Sequence, residues 1–291
     1  MDGLCRHALI TGGSSGLGFE LARALLASGA AVTIVARDRD RLRDAHARLS
    51  ASGGAVRALA CDVTDGPALA ALVAEAERHG GPVDFAAACA GAARPGRFET
   101  LTPEIFRAQM EVNHFGALHL AQAVLPKMRA RGRGSLLFVS SAAGLIGLPG
   151  HAAYAPSKFA VRALAQALGH EARPDGVLVS CAFPADLDTP GYAAERPFVP
   201  PELHAIAGSA GLMRADRCAK RILRGMAKGR AEIHPTLTVA LLARLAPLVR
   251  PLLVRRLDKV AAKARIDAAW DDRIARDAAA GLPPENEEGG R

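Results

Sequence analysis

The sequence predicts an α/β protein: a doubly wound, mostly parallel sheet with helices on both faces, followed by a basic and apolar helical extension. Three observations predict it. Strand-like runs alternate with helical patterns along the first 235 residues, the order expected when helices cover both faces of one sheet. Several of these strands are continuous apolar runs, as strands buried on both faces must be. A glycine-rich turn joins the first strand to the first helix, the signature of a Rossmann-type fold.

The first strand-like run is His7–Ile10. It leads into Thr11-Gly12-Gly13-Ser14-Ser15-Gly16-Leu17-Gly18, after which Phe19, Leu21, Ala22, Leu25 and Leu26 recur at helical spacing. Glycines at 12, 16 and 18 let backbone N–H groups approach a pyrophosphate at a helix N-terminus, where the dipole favours negative charge. Ala31–Ala36 reads as the second strand and ends in Arg37. An NAD-type site usually carries Asp or Glu there for the ribose 2′-hydroxyl. Arg37 suits a 2′-phosphate instead and can stack on adenine, with Asp38 beside it tempering the positive field. Ala55–Cys61 is the third strand, Leu69–Arg78 a helix and Val83–Ala88 the fourth strand. A helical pattern fills Pro103–Arg129. Ser135–Ser140, Val177–Phe183 and Ala231–His234 read as the remaining strands.

Tyr154 and Lys158 stand four residues apart on a helical pattern, one turn apart on one face. A free phenol, with a pKa of about 10, is a poor acid–base catalyst near neutrality. A neighbouring ammonium favours the phenolate and is expected to lower that value. A tuned tyrosine then protonates a developing alkoxide, or deprotonates an alcohol in reverse.

Together these residues resemble the short-chain dehydrogenase/reductase family over residues 5–235. Thr11, Gly12, Gly16 and Gly18 match its cofactor loop, and Asp62 matches the acidic residue that holds adenine. Cys89-Ala90-Gly91 stands where the family usually has Asn-Ala-Gly. Asn113, Ser141, Tyr154 and Lys158 match the catalytic tetrad, with Ser141 thirteen residues before Tyr154. The resemblance implies NADP(H) as cofactor, touched by Thr11, Gly12, Ser14, Ser15, Gly16, Leu17, Gly18, Arg37, Asp62, Val63, Ala90, Gly91, Tyr154, Lys158, Pro184 and Thr189. It implies that Tyr154 donates the proton, that Ser141 bonds the carbonyl oxygen, and that Lys158 also bonds the nicotinamide ribose. Asn113 would hold a water in a proton relay. By chemistry alone Ser140 rivals Ser141, and only spacing separates them. No metal is expected. A homodimer or homotetramer, paired through the helices holding Asn113 and Tyr154, is implied as well.

The stretch from Pro184 through Tyr192, Glu195 and Pro201-Glu202, with the run Tyr154–Leu164, resembles the 3-ketodihydrosphingosine reductases. These reduce a long-chain 2-amino-3-ketone to the 3-alcohol with NADPH. The alternatives are another ketoreductase of the family, acting on a β-ketoacyl, steroid, retinoid or xenobiotic carbonyl, and a non-catalytic NADPH-binding scaffold on a membrane. The intact tetrad argues against the scaffold.

The C-terminal part reads as an extension over 236–282 and a disordered polar tail over 283–291, after a catalytic domain of residues 1–235. Residues 236–254 are strongly apolar but interrupted by Arg244, Pro247, Arg250 and Pro251. A spanning helix needs about 20 mainly apolar residues with few charges, so two arginines and two helix-breaking prolines argue against clean spanning. Residues 236–265 hold five Arg, two Lys and a single Asp, against a formal +8 for the whole chain. Basic charge beside an apolar stripe suits an interfacial segment on anionic lipid. A helix packing on the core or on a second subunit fits equally. A pI near 9.7 allows nucleic acid, yet aromatics make up only 4% and no binding motif is present, so nucleic acid is not expected.

The five cysteines lack metal-site or redox-pair spacing, and a reducing compartment is expected. The first strand begins close to Met1, which leaves no room for a leader. The expected location is cytoplasmic, peripheral on the inner face of the cytoplasmic membrane.

Overall fold

The computed structural model describes residues 5–207 and 212–264. Its strands are β1 (His7–Thr11), β2 (Ala31–Ala36), β3 (Val56–Ala60), β4 (Phe85–Ala88), β5 (Gly134–Val139), β6 (Val177–Ala182), β7 (Leu187–Asp188), β8 (Met213–Arg214) and β9 (Glu232–Ile233). Its helices are α1 (Gly16–Leu26), α2 (Arg39–Ser50), α3 (Gly66–Gly80), α4 (Pro103–Met110), α5 (Gly116–Ala130), α6 (Tyr154–Ala172), α7 (Pro190–Glu195), α8 (Pro201–Ala207), α9 (Ala215–Ala227) and α10 (Leu237–Ala264). Seven strands form one parallel sheet in the order β3-β2-β1-β4-β5-β6-β9. The chain reverses direction across the sheet between β1 and β4, and ligands of such sheets bind outside the carboxyl ends of the strands at that point.

Strand periodicity divides the core in two. Leu9, Val35, Ala86, Leu136 and Phe138 face one side, under α3, α5 and α6. Ile10, Ile34, Phe85 and Leu137 face the other, under α1, α2 and α9. Successive residues of each strand therefore enter different cores, which is why the strands read as unbroken apolar runs.

One expectation changes, and two features add to the sequence reading. The helix expected over Pro103–Arg129 is two α-helices separated by a π-turn at Glu111–Phe115. A π-turn adds a residue to the helical ladder and rotates the next helix about its axis, a change that apolar periodicity does not reveal. Leu187–Asp188 and Met213–Arg214 form a second, two-stranded parallel sheet that the sequence did not suggest. Pro247 and Pro251 do not break the C-terminal segment, since α10 runs through both. A proline removes one intrahelical bond and bends a helix without having to end it.

Thr236 starts α10, its side chain accepting from the Val239 N–H at 3.3 Å. Val239 is 4% exposed and joins the core, and α10 packs along α8. Leu237, Leu241, Leu245 and Leu252 are exposed. They repeat at helical spacing and so share a face. Among the described residues, no helix is long and apolar enough to cross a membrane. The expectations for residues 265–282 and for the tail lie outside the described residues.

Candidate active site

A cavity of about 480 Å³ opens at the carboxyl ends of the central strands. Its floor is the loop from β1 to α1. Gly12 has φ +68°, and a Cβ there would lie 2.7 Å from the Ala90 backbone nitrogen. At Gly18 a Cβ would run into the Gly12 carbonyl. The loop thus fits only with glycine at both places, and backbone lies open to the cavity along Ser14, Ser15, Gly16 and Leu17. Ser15 is the N-cap residue of α1 with no side-chain cap bond. The helix N-terminus therefore presents unpaired N–H groups to the cavity, an anion site by construction. Thr11 departs from its expected place. It is 1% exposed and does not line the cavity. Its hydroxyl donates to Ala87 O at 3.2 Å and accepts from the Cys89 and Ala90 N–H groups. Thr11, the last residue of β1, thus braces that strand against the end of β4, where the ladder stops and backbone groups are left for its hydroxyl.

Arg37, Asp38, Arg41, Asp62 and Val63 line one end of the cavity. The Asp38 carboxylate is engaged as the N-cap of α2, with Oδ1 accepting from Asp40 N and Arg41 N, both at 3.0 Å, and Oδ2 3.4 Å from Arg41 Nε. Arg37 has a side chain 78% exposed, 3.5 Å from Asp62. Asp62 accepts from Thr64 N at 3.0 Å and Thr64 Oγ1 at 2.8 Å. The Thr64 N–H is the main reason its carboxyl sits below the ordinary carboxylate range. Arg41, which sequence reasoning missed, brings a second guanidinium to this end. Its signal was one helical turn of spacing from Arg37.

At the other end stand Ser141, Tyr154 and Lys158. Tyr154 is the first residue of α6 and Lys158 is one turn on. The Lys158 side chain lies 5.6 Å from the Tyr154 ring centroid and donates to Val139 O at 3.1 Å. Burial lowers Lys158 to about 8. The expected lowering of Tyr154 by Lys158 is not what this geometry gives. Burial pushes the phenol well above its ordinary 10, the charge of Glu195 adds to this, and Ser141 pulls part of the way back. Desolvation disfavours the phenolate more than the lysine favours it. The geometry also separates the two serines. Ser140 is buried and donates to Lys158 O at 2.9 Å. Both line the cavity, but Ser141 is only half-buried, and its oxygen caps the following turn, accepting from Ala143 N at 3.2 Å.

Asn113 sits at the centre of the π-turn and is buried. Its amide donates to Ala92 O and Ser157 Oγ and accepts from Ala92 N, all at 2.9 Å. Both of its N–H donors are thus taken, and the side chain fixes the strand-end loop at Ala92. Gly91 must be small, since a Cβ would come within 2.9 Å of Asn113 Oδ1 and 3.4 Å of Lys158 Nζ. Cys89, in place of the usual asparagine, has a thiol that burial pushes up to about 12, which makes it unreactive. Of the five cysteines, only Cys181 and Cys218 are fully buried.

Pro184 and Thr189 also line the cavity. Thr189 caps α7, accepting from Tyr192 N at 3.2 Å. Five further polar residues line the cavity: His151, Asp186, Tyr192, Glu195 and His204. Asp186, Tyr192 and Glu195 lie in the stretch whose resemblance pointed to the substrate, but none of the five was assigned a role from sequence. His151 lies 5.2 Å from the Tyr154 ring, and burial lowers it to about 4, so it is neutral. Burial raises Asp186, and burial together with Asp186 raises Glu195 to about 7. An enclosed ion pair, Arg97 to Glu202 at 2.9 Å, fastens α8 over this end.

Residues 6–198 match the family model described as short chain dehydrogenase. The chain is 37% identical to a 3-dehydrosphinganine reductase of Danio rerio over 228 residues, 77% of this chain and 69% of that protein. It is 33% identical to a 3-ketodihydrosphingosine reductase of Dictyostelium discoideum over 264 residues, 84% and 79% of the two chains. Among solved structures, a short-chain dehydrogenase from Sphingobium yanoikuyae in complex with NADPH superposes with a TM-score of 0.73 at 29% identity, covering 86% of this chain and 95% of that one. With Ser141, Tyr154 and Lys158 gathered in one cavity above a glycine-rich loop, and Asn113 buried behind them against Ala92, the chain belongs to the short-chain dehydrogenase family.

Proposed function

We propose that this protein reduces the 3-keto group of 3-ketosphinganine to the alcohol with NADPH. The observation that carries the reading is the placement of Tyr154 with Ser141 and Lys158 in one cavity above the glycine loop. A tyrosine phenol carries its proton at neutral pH, the form a ketone reductase needs as general acid, and a cofactor and substrate filling the cavity would set how readily it gives that proton up. The choice of substrate is supported by the activities for which the relatives from Danio rerio and Dictyostelium discoideum are named.

The residues present fit the cofactor. The α1 N-terminus with its glycine loop would hold the pyrophosphate, and Arg37 and Arg41 a 2′-phosphate. Asp62 and Val63 would hold the adenine, and Ala90, Gly91, Pro184 and Thr189 the nicotinamide half. When bound, NADPH supplies the hydride. Tyr154 then gives its proton to the oxygen, Ser141 stabilises the charge developing there, and Lys158 helps the proton move. Asn113 positions the Ala92 loop beside them. Purified protein should oxidise NADPH when 3-ketosphinganine is added, and NADH far more slowly. Turnover of an acetoacetyl thioester without turnover of the sphingoid ketone would sink the substrate assignment.

The reading includes two arrangements of the chain, with residues 1–235 as the catalytic unit and 236–282 as an appendage. The exposed leucines of α10 with the arginines and lysines around them would rest on an anionic membrane surface, peripheral on its cytoplasmic side. Since α8 lines the cavity and packs on α10, a long acyl chain would enter there. Exposed Phe115 and Phe159, beside Asn113 and Tyr154, would pair two subunits as a homodimer, or four as a homotetramer. Light scattering on the purified protein tests the second arrangement, and a monomer would end it.

A further inference from the structure

We infer that Glu195 is the residue that selects the ammonium group next to the reacting ketone, with the ring of His151 facing the neighbouring hydroxyl. The inference rests on the 3-ketosphinganine reading and deepens it. That substrate carries a hydroxyl on C1, an ammonium on C2 and the ketone on C3. Two bonds separate the nitrogen from the carbonyl carbon, a distance of about 2.5 Å by ordinary bond lengths and angles. Once Tyr154 holds the ketone oxygen, the ammonium must therefore lie in the same cavity, close to Tyr154 and Lys158.

A second ammonium beside Lys158 is repelled unless an anion compensates for it. Glu195 supplies that anion. It is the last residue of α7, lines the cavity, and is half-buried. Its charge acts on both Tyr154 and Lys158, so it stands within electrostatic reach of the reacting centre. Among the described residues, no hydrogen bond supports its carboxylate, and Asp186, a like charge, faces the same space. A half-buried carboxylate without a hydrogen-bond donor is unfavourable on its own, and burial with Asp186 accordingly raises it to about 7. A bound ammonium would hold it ionised. A neutral ketone gains nothing from such a group. The second observation is independent. The Nδ1 of His151 is buried without a partner and its ring lines the same cavity. A neutral imidazole nitrogen either donates to a hydroxyl or accepts from one. Glu195 and His151 thus supply a partner for each polar substituent flanking the ketone.

The test compares 3-ketosphinganine with its 2-desamino analogue, with NADPH as donor, in the wild type and in Glu195→Gln. The readout is the ratio of kcat/KM for the two ketones. A charge-assisted hydrogen bond predicts that the substitution lowers this ratio about 10- to 100-fold. A loss shared equally by both ketones leaves the ratio unchanged and overturns the inference, as does no loss at all. NADPH affinity and a thermal melt establish that the variant is folded. If it is not, the wild type decides alone: with NADP⁺ bound, sphinganine should bind at least about 10-fold more tightly than its desamino analogue, and equal affinities overturn the inference. Wild-type turnover of the desamino ketone without turnover of 3-ketosphinganine would instead refute the substrate reading itself, taking the role of Glu195 with it.

Discussion

The two ends of the cavity recognise by different means. At the β1–α1 end, backbone does the work, because Gly12 and Gly18 hold the loop where no side chain fits and α1 points its unpaired N–H groups at the space above. Polar side chains there are mostly satisfied already, Asp38 by the α2 N-terminus and Asp62 by Thr64. At the α7–α8 end the reverse holds. A short helix and the loop before α6 carry side chains whose polar groups lack partners, with Glu195 raised to about 7 and His151 Nδ1 unpaired. The difference teaches that a preformed backbone cradle suits a ligand of fixed shape, whereas unsatisfied side chains are held in readiness for a ligand that completes them. The tetrad sits where the two meet.

The largest test of this contrast is at the junction. Tyr154→Phe removes the general acid and should lower turnover by about 10²- to 10⁴-fold, with NADPH affinity kept, as read by steady-state kinetics and fluorescence titration. Turnover near wild type would remove Tyr154 from the chemistry. Next comes Gly12→Ala. A Cβ at φ +68° pressed against the Ala90 backbone should destabilise the fold by about 2–4 kcal/mol and weaken NADPH binding. A melt and an affinity at wild-type values would mean that the cradle yields to an added methyl group.

Arg37→Ala together with Arg41→Ala should raise the KM for NADPH about 10- to 100-fold, with a much smaller effect on NADH. An equal effect on both cofactors would show that the arginines do not read the 2′-phosphate. Lys158 gives a smaller effect in stability. Its folded-state value is lowered to about 8 from 10.5, so between these values the unfolded chain binds more protons and stability rises with pH. Below about 8 both states are protonated and the burial penalty is constant. Lys158→Met should therefore raise Tm by a few degrees at neutral pH while abolishing activity, and the variant should lose the rise in stability between pH 8 and 10.5. A lower Tm at neutral pH would mean that the buried ammonium stabilises the fold. The smallest effect on the folded state belongs to Leu241→Ser with Leu245→Ser. Both leucines are exposed, so Tm should hardly move. Flotation with anionic vesicles should fall, and unchanged flotation would favour packing against a second subunit over lipid.

Much of the fold was legible in the chain. The strand at Ala31–Ala36 matches its expected bounds, and the other strands of the main sheet differ by only a few residues at their ends. Alternation of apolar runs and helical patterns is a local property, readable within short windows. The π-turn at Glu111–Phe115 was not readable, because an added residue in the ladder leaves the apolar spacing nearly unchanged. The helical extension after residue 235 was legible, and α10 runs through both prolines that argued only against clean membrane spanning.

The sequence by itself determined what rests on covalent geometry and spacing: glycines where φ is positive, Tyr154 and Lys158 one turn apart, and a second strand that ends in arginine. Only the tertiary structure decided what rests on burial and charge at a distance. It raised Tyr154 instead of lowering it, turned Asp38 into a helix cap, set Thr11 against the end of β4, and brought His151, Asp186 and Glu195 around one cavity. Desolvation and Coulomb interactions depend on which segments surround a group, and segments far apart along the chain meet only when the sheet is assembled.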